Sequence, residues 1–150
     1  MAAIKEVAHG QRFPEGPVAM PDGSVLVVEI ERRVITCIAG DGTPSRIAAP
    51  GGGPNGLAYG PDGALYVTNY GGFAFQEDEH GLRGPNDLVV DRSGAIWFTD
   101  LGMRRSRDLD YGGVYLLSSD RHTVKEVAYP VLTANGIGLS PHESTRRKPT

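Results

Sequence analysis

The chain has 150 residues with a formal net charge of −3, and 21 of them are glycine and 11 proline. Its apolar fraction of 39% is too high for a disordered chain, and no apolar run approaches the roughly 18 residues of a membrane helix. The acidic balance argues against a nucleic-acid partner, and the first ten residues lack the apolar stretch of a signal peptide. We therefore expect a cytoplasmic protein that binds neither nucleic acid nor membrane. The single cysteine, Cys37, cannot form an internal disulfide and is expected in the core.

A repeated hairpin runs through the sequence. Residues 20–29, 60–69 and 91–100 align without gaps, each a turn that ends in glycine followed by an apolar strand that ends in a polar residue. A fourth copy begins at residues 140–143, where Glu143 replaces the glycine. The four turn positions lie 40, 31 and 49 residues apart, and their mean of 40 fits the four-stranded blades of a β-propeller. Glycine is expected at such turns because it accepts a positive φ at little cost.

Each blade is expected to contain strand A before the turn, strand B after it, and two outer strands. The outer strands of the first blade are predicted over residues 34–39 and 45–48, and those of the third over 113–117 and 124–128. Only 16 residues separate strand B of the second blade from Asn86, and the polar run 76–80 is poor material for outer strands. No segment has the apolar periodicity and caps of a helix, so an all-β fold is predicted.

A polar side chain stands eight residues before each turn position. These four residues are Glu15, Asn55, Asn86 and Asn135. Because the first strand of every propeller blade lines the central channel, equivalent positions lie at one height around its axis. One carboxylate and three amide oxygens would form the hard oxygen environment that calcium prefers, whereas no cysteine or histidine cluster has zinc-ligand spacing. The alternative is a turn role, because asparagine before glycine is common in turns.

The ordered motifs resemble the SMP-30/gluconolactonase/LRE-like family. The matching segments are residues 13–17, 83–91, 96–100 and 134–141. This resemblance implies a six-bladed β-propeller with a divalent metal, most often calcium, in its channel, and an activity that opens sugar-type lactones. A bound metal of this kind polarises a lactone carbonyl and lowers the pKa of a bound water.

The resemblance also implies roles for the four polar positions. Glu15 and Asn135 would be metal ligands, Asn86 would contact the metal or the substrate, and Asn55 would lie on the substrate side. A small-molecule lactone is the expected partner. In the family, the acid–base residue is an aspartate on a later blade, which has no counterpart in these 150 residues.

Two aspartates within the chain are candidates for that acid–base role. Asp87 lies one residue past a channel-facing position, so strand alternation predicts that it points away from the channel. Asp100 ends strand B, where a polar residue recurs in every blade. Structural roles at a turn or sheet end are therefore predicted for both.

The length predicts an incomplete propeller. Six blades of about 40 residues require roughly 240 residues, so residues 1–150 would form a single domain of about three and a third blades. Residues 144–150 have no apolar side chain and look like a non-native polar tail, which suggests a truncated product. Self-association through open propeller faces is then expected.

Two functional classes remain open on the sequence. The first is a calcium-dependent lactone hydrolase or an inactive fragment of one, and the second is a non-catalytic propeller module that binds a ligand or protein through its channel mouth. A basic cluster of Arg104, Arg105 and Arg107 is expected in a solvated loop, and such a loop could rim the mouth and meet an acidic substrate. The G-x-G-x-x-G match at residues 51–56 is rejected as a dinucleotide motif, because a strand and hairpin follow it instead of a helix.

Overall fold

The computed structural model describes residues 3–71 and 82–143, and every regular element within these ranges is a β-strand. The described residues include no helix with the length and apolar character to span a bilayer. The strands are β1 (Pro14–Ala19), β2 (Val25–Glu29), β3 (Val34–Ile38), β4 (Pro44–Ala48), β5 (Pro54–Tyr59), β6 (Leu65–Asn69), β7 (Pro85–Val90), β8 (Ile96–Asp100), β9 (Gly112–Leu117) and β10 (Val124–Val131).

The strands form three antiparallel sheets in chain order. The first sheet has the order β1-β2-β3-β4 and the third has the order β7-β8-β9-β10, so both are four-stranded meanders. The outer strands predicted from the sequence are present in both sheets, with bounds that differ by one to three residues. The second sheet consists of β5 and β6 within the described residues, and the predicted weak segment 76–80 lies outside them.

The repeated turns share one backbone geometry. Gly23, Gly63 and Gly94 have φ values of 85°, 78° and 84°, and each amide donates to the carbonyl three residues earlier at 3.0, 3.0 and 2.9 Å. Glu143 has a φ of 50° and its amide makes the same bond to Ser140 at 2.9 Å. The fourth repeat predicted from the sequence therefore has the turn of the other three, with glutamate in the left-handed region.

Apolar side chains fill the spaces between consecutive sheets. The first cluster joins Leu26, Val28 and Ile35 of the first sheet to Leu57 of β5, and Cys37 packs against it as predicted. The second cluster joins Ala58 of β5 to residues of β7 and β8. The inner strand β5 contacts β1 on one side and β7 on the other, so the three sheets follow one another as successive propeller blades.

Candidate functional site

The four polar residues of the inner strands line one cavity. Glu15, Asn55, Asn86 and Asn135 all lie in the wall of a cavity of about 320 Å³. They come from β1, β5, β7 and the segment that follows β10, which are far apart in the sequence. The constant offset of eight residues thus corresponds to a common position beside the channel.

A β-bulge occurs at the same place in each inner strand. The pairing register shifts between Glu15 and Val18 in β1, between Pro54 and Leu57 in β5, and between Pro85 and Leu88 in β7. Bulges change the direction of side chains and are common at barrel rims and active sites. The geometry of the cavity wall, which repeats from blade to blade, therefore depends on three equivalent bulges in the sheets.

The glycines that follow the polar residues allow the inner strands to approach closely. A Cβ on Gly16 would lie 2.7 Å from the carbonyl oxygen of Asn55, and one on Gly56 would lie 2.8 Å from that of Asn86. Asn55 lies within β5, so the turn interpretation is wrong for its Asn-Gly pair. Glycine is required at these two positions because the backbone carbonyls of Asn55 and Asn86 pack directly against the preceding inner strand.

Buried threonine hydroxyls connect the inner strands across the blades. Thr68 accepts a hydrogen bond from the amide of Gly56 at 2.7 Å and donates to the carbonyl of Asn86. Thr99 accepts from the amide of Asp87 at 3.1 Å and donates to the carbonyl of Asn135 at 2.6 Å. Each hydroxyl thus fixes the backbone of a cavity residue on the next blade. This role was not predicted, and the signal for it in the sequence is a threonine at the same place in two repeats.

The polar residue at the end of strand B holds the segment that leads into the cavity. Asp100 is buried, with 3% of its surface exposed, and accepts hydrogen bonds from the amides of Arg83, Gly84 and Gly102 at 2.6, 2.9 and 2.7 Å. Asn69 occupies the same place in the second blade and accepts from the amide of Gly53 at 2.9 Å. The predicted sheet-end role of Asp100 is confirmed, and its oxygens are occupied by backbone amides.

Glu29 occupies this place in the first blade. Its carboxylate accepts from the Arg12 amide at 2.7 Å, the Arg32 guanidinium at 2.7 Å and the Thr36 hydroxyl at 2.6 Å. Burial works against ionisation of Glu29, but the bonds from Thr36 and Arg12 and the charge of Arg32 outweigh it and lower the pKa. The carboxylate is therefore charged in the folded protein and anchors the chain just before Glu15.

Asp87 also lies in the cavity wall, which differs from the prediction. Alternation predicted that it points away from the channel, but the bulge between Pro85 and Leu88 breaks the alternation, and Asp87 lies beside Asn86 in the lining. Its carboxylate accepts from the amides of Leu88 at 2.9 Å and Ile137 at 3.0 Å. Asp87 therefore ties β7 to the segment that carries Asn135, a structural role within a strand rather than the predicted one at a turn or sheet end.

The cavity offers oxygen atoms that are free to bind a ligand. In residues 3–71 and 82–143, no hydrogen bond or ion pair engages the carboxylate of Glu15 or the amide groups of Asn55, Asn86 and Asn135. No group of three histidine, cysteine, aspartate or glutamate side chains in these ranges could hold a metal. A hard cation that accepts amide oxygens and water, as calcium does, fits the donor set better than zinc.

A second cavity, which we call the mouth cavity, adjoins the first. It has a volume of about 490 Å³, and Asn55 and Asn86 line both cavities. Its other lining residues are Phe13, Ile30, Glu31, Tyr70, Arg83, Gly84, Leu101, Gly102, Met103 and Arg104. The mouth cavity thus leads directly to two of the four polar positions.

The arginine cluster divides between the mouth cavity and its supporting loop. Arg104 lines the mouth cavity, as the sequence analysis allowed. Arg105 instead contacts Asp110 at 2.7 Å and also pairs with Asp108. Hydrogen bonding to Arg105 lowers the pKa of Asp110, and the two aspartates raise that of the guanidinium. The charge of Arg105 is therefore matched within the loop.

Successive antiparallel blades with polar inner-strand residues at a central cavity define a protein of the β-propeller class. The model of the SMP-30/gluconolactonase/LRE-like region matches residues 13–146. The chain therefore belongs to this family, as its motifs indicated.

Similar proteins support the same assignment. The chain is 26% identical to a gluconolactonase of Zymomonas mobilis over 94% of this chain and 49% of that protein. It is 33% identical to the lactonase drp35 of Staphylococcus haemolyticus over 55% of this chain and 30% of that protein. The structure of a gluconolactonase from Xanthomonas campestris superposes with a TM-score of 0.72 at 24% identity, over 89% of this chain and 52% of that one. The last comparison confirms the propeller fold, and the chain spans about half the length of the gluconolactonases.

Proposed function

We propose that the chain carries the metal-binding and substrate-binding part of a calcium-dependent lactone hydrolase. The observation that supports this proposal most directly is the cavity in which Glu15, Asn55, Asn86 and Asn135 meet with unengaged side-chain oxygens. Similarity to a gluconolactonase and a lactonase supports a small cyclic ester as the substrate.

The proposed ligand set consists of Glu15, Asn135 and Asn86. A calcium ion held there would polarise the lactone carbonyl and acidify a bound water. Glu15 supplies the charge that attracts the cation, and Asn86 and Asn55 orient the lactone because they face both cavities. Thr68 and Thr99 keep the backbones of Asn86 and Asn135 in place, so that the oxygens stay in position when the substrate binds.

The test combines calcium binding with lactone hydrolysis in the purified chain. We expect calorimetry to show calcium binding that Glu15→Gln weakens by about tenfold or more, because the charge of the ligand set decides calcium affinity. Any hydrolysis of glucono-δ-lactone above the spontaneous rate, followed as acid release in a pH-stat, should require calcium and fall in the same variant. Glu126→Gln on the exposed edge strand β10 is the matched control and should leave both unchanged.

Two results would argue against the proposal. Equal calcium affinity in the wild type and in Glu15→Gln would show that Glu15 is not a calcium ligand and would rule out the proposed metal site. Calcium binding at Glu15 without hydrolysis of any lactone would favour the non-catalytic propeller module, which binds a ligand through its channel mouth.

A further inference from the structure

The wall of the mouth cavity is more apolar than a sugar lactone needs. Phe13, Ile30, Leu101 and Met103 contribute carbon surface around a volume of about 490 Å³. A sugar lactone presents hydroxyl groups on every side, and each hydroxyl that leaves water without a hydrogen-bond partner costs free energy. Such a wall instead matches a ligand that brings an apolar group of its own.

Phe13 is the most unusual residue of this wall. The residue is 64% exposed and its backbone has a φ of 55°, a conformation that bulky residues rarely adopt. The amide of Ile30 donates to its carbonyl at 3.1 Å and helps to hold it there. Backbone strain of this kind tends to occur at ligand sites. Phe13, with this strained backbone, therefore lies at the edge of the cavity, two residues before the proposed ligand Glu15.

The rim of the same cavity carries a positive charge. Among the residues that the structure describes, Arg83 and Arg104 line it together with one acid, Glu31, so arginines outnumber carboxylates in this part of the lining. No carboxylate in the described ranges forms an ion pair with Arg104, whereas the neighbouring Arg105 is paired twice. An anionic group on a ligand would find its counter-charge at Arg104.

We propose that the mouth cavity selects lactones that carry an apolar chain ending in a carboxylate. This inference rests on the proposed lactonase function and specifies its substrate class. The lactone ring lies at Asn55 and Asn86, which join the two cavities. The apolar chain of the ligand packs against Phe13 and Met103, and the carboxylate of the ligand binds the guanidinium of Arg104.

Binding of stable lactams tests the selection without requiring hydrolysis. In a lactam, an amide replaces the ester of the ring, so the ligand stays intact during calorimetry. Three probes are compared on the full chain with calcium present: a γ-lactam with a hexyl chain, the same ring with a carboxypentyl chain, and a polyhydroxylated lactam of the gluconic type. We expect the carboxypentyl probe to bind most tightly and the polyhydroxylated probe most weakly.

Two variants separate the apolar wall from the charge. Phe13→Asn removes the ring and suits the positive φ, and it should weaken both alkyl probes by about tenfold, the value of about 60 Å² of buried apolar surface. Arg104→Gln should weaken only the carboxypentyl probe, by about fivefold. Arg107→Gln removes a charge from the same loop but outside the cavity lining, and it should leave the affinities of both alkyl probes unchanged. Met103→Ser serves as a second wall variant if Phe13→Asn does not give the far-UV circular dichroism of the wild type.

The outcomes distinguish this inference from the proposed function. Tightest binding of the polyhydroxylated probe, or equal effects of Arg104→Gln and Arg107→Gln, would overturn the selection proposed here even if lactones are hydrolysed. Selective binding of the carboxypentyl lactam, together with no hydrolysis of the matching lactone, would support the mouth site and overturn the hydrolase.

Discussion

In the turn of the first hairpin, the side chain of Asp22 bonds to a residue two positions away, whereas at the channel end of the third hairpin Asp100 bonds to residues 16 and 17 positions earlier. Asp22 accepts from the amide and the hydroxyl of Ser24 at 2.9 and 2.7 Å, and it is open to water. Asp100, at the other end of the equivalent hairpin, accepts from amides 16 and 17 positions earlier and is buried. The bonds of Asp22 therefore need only the turn itself. The bonds of Asp100 need the pairing of β7 with β8, and that of the adjacent Thr99 to Asn135 needs the next blade.

This difference means that the two ends should respond differently to the same kind of substitution. The side chain of Asp22 is itself exposed, so water can take over part of its hydrogen bonding when it is removed. A side chain at the channel end leaves buried backbone groups without partners, and such groups cost more than an average hydrogen bond contributes. These buried backbone groups belong to the same segments as the cavity residues. The hydrogen bonds of the channel end therefore also determine the geometry of the proposed site.

Asp100→Ala is expected to have the largest effect. It removes the acceptor of three backbone hydrogen bonds at a buried position and should lower the free energy of unfolding by about 3 kcal/mol. Asp22→Ala at the turn end should lower the free energy of unfolding much less, because this carboxylate is exposed to water. Urea denaturation of both variants measures the difference, and equal losses would contradict the contrast between the two ends.

Asp100→Asn makes this comparison sharper. Asn69 holds the same place in the second blade, where its Oδ1 accepts from Gly53 and its amide donates to Gly51. Asparagine at position 100 should therefore keep the bonds of Gly84 and Gly102 to one oxygen and lose the one from Arg83. The free energy of unfolding is expected to fall by about 1 kcal/mol, so that its value lies between those of the wild type and Asp100→Ala.

The local end of the hairpin was largely predictable from the sequence. The turns, the strand order and the outer strands of two sheets follow from Asp-Gly turns and short apolar runs, which act over a few residues. The fourth turn was also found, although Glu143 replaces its glycine, because Pro141 matches the turn proline of the first two repeats and Asn135 stands eight residues before Glu143.

The channel end was predicted only in part. The offset of eight residues identified Glu15, Asn55, Asn86 and Asn135, because a repeat places equivalent residues at equivalent positions. The bulges could not be seen, since they depend on the pairing of two strands rather than on one, and Asp87 lies in the cavity wall, where simple alternation did not predict it. The bond from Thr99 to the carbonyl of Asn135 spans 36 positions and requires the packing of neighbouring blades.

Thr99→Val tests whether the threonine hydroxyls support the cavity. The change keeps the shape of the side chain but leaves the amide of Asp87 and the carbonyl of Asn135 without this partner, so we expect a loss of about 2 kcal/mol in urea denaturation. Calcium affinity should fall as well, because Asn135 is a proposed ligand. Thr99→Ser keeps the hydroxyl and should restore most of the calcium affinity.

The turn end again provides the control for this substitution. Ser24→Ala removes a hydroxyl that bonds to Asp22 within the turn and should leave calcium affinity unchanged. If Thr99→Val were to lower stability while calcium affinity stayed the same, the hydroxyl would be a structural link between blades without influence on the proposed site.

The smallest expected effect is on the pH dependence of stability, and it concerns Glu29. Its folded-state pKa is lowered from 4.5, so its contribution to stability is fully present above that pH and is lost as the pH falls through the folded-state pKa. Glu29→Gln cannot titrate, so the free energy of unfolding measured by urea between pH 7 and pH 3 should decrease less steeply than in the wild type. Hydrogen bonds from Ser24 also lower the pKa of Asp22, but this group is open to water, so Asp22→Asn should change the slope less. Equal slopes in the wild type and Glu29→Gln would show that the bonds to Arg12, Arg32 and Thr36 do not favour the charged carboxylate, and the channel end would then resemble the turn end in its electrostatics.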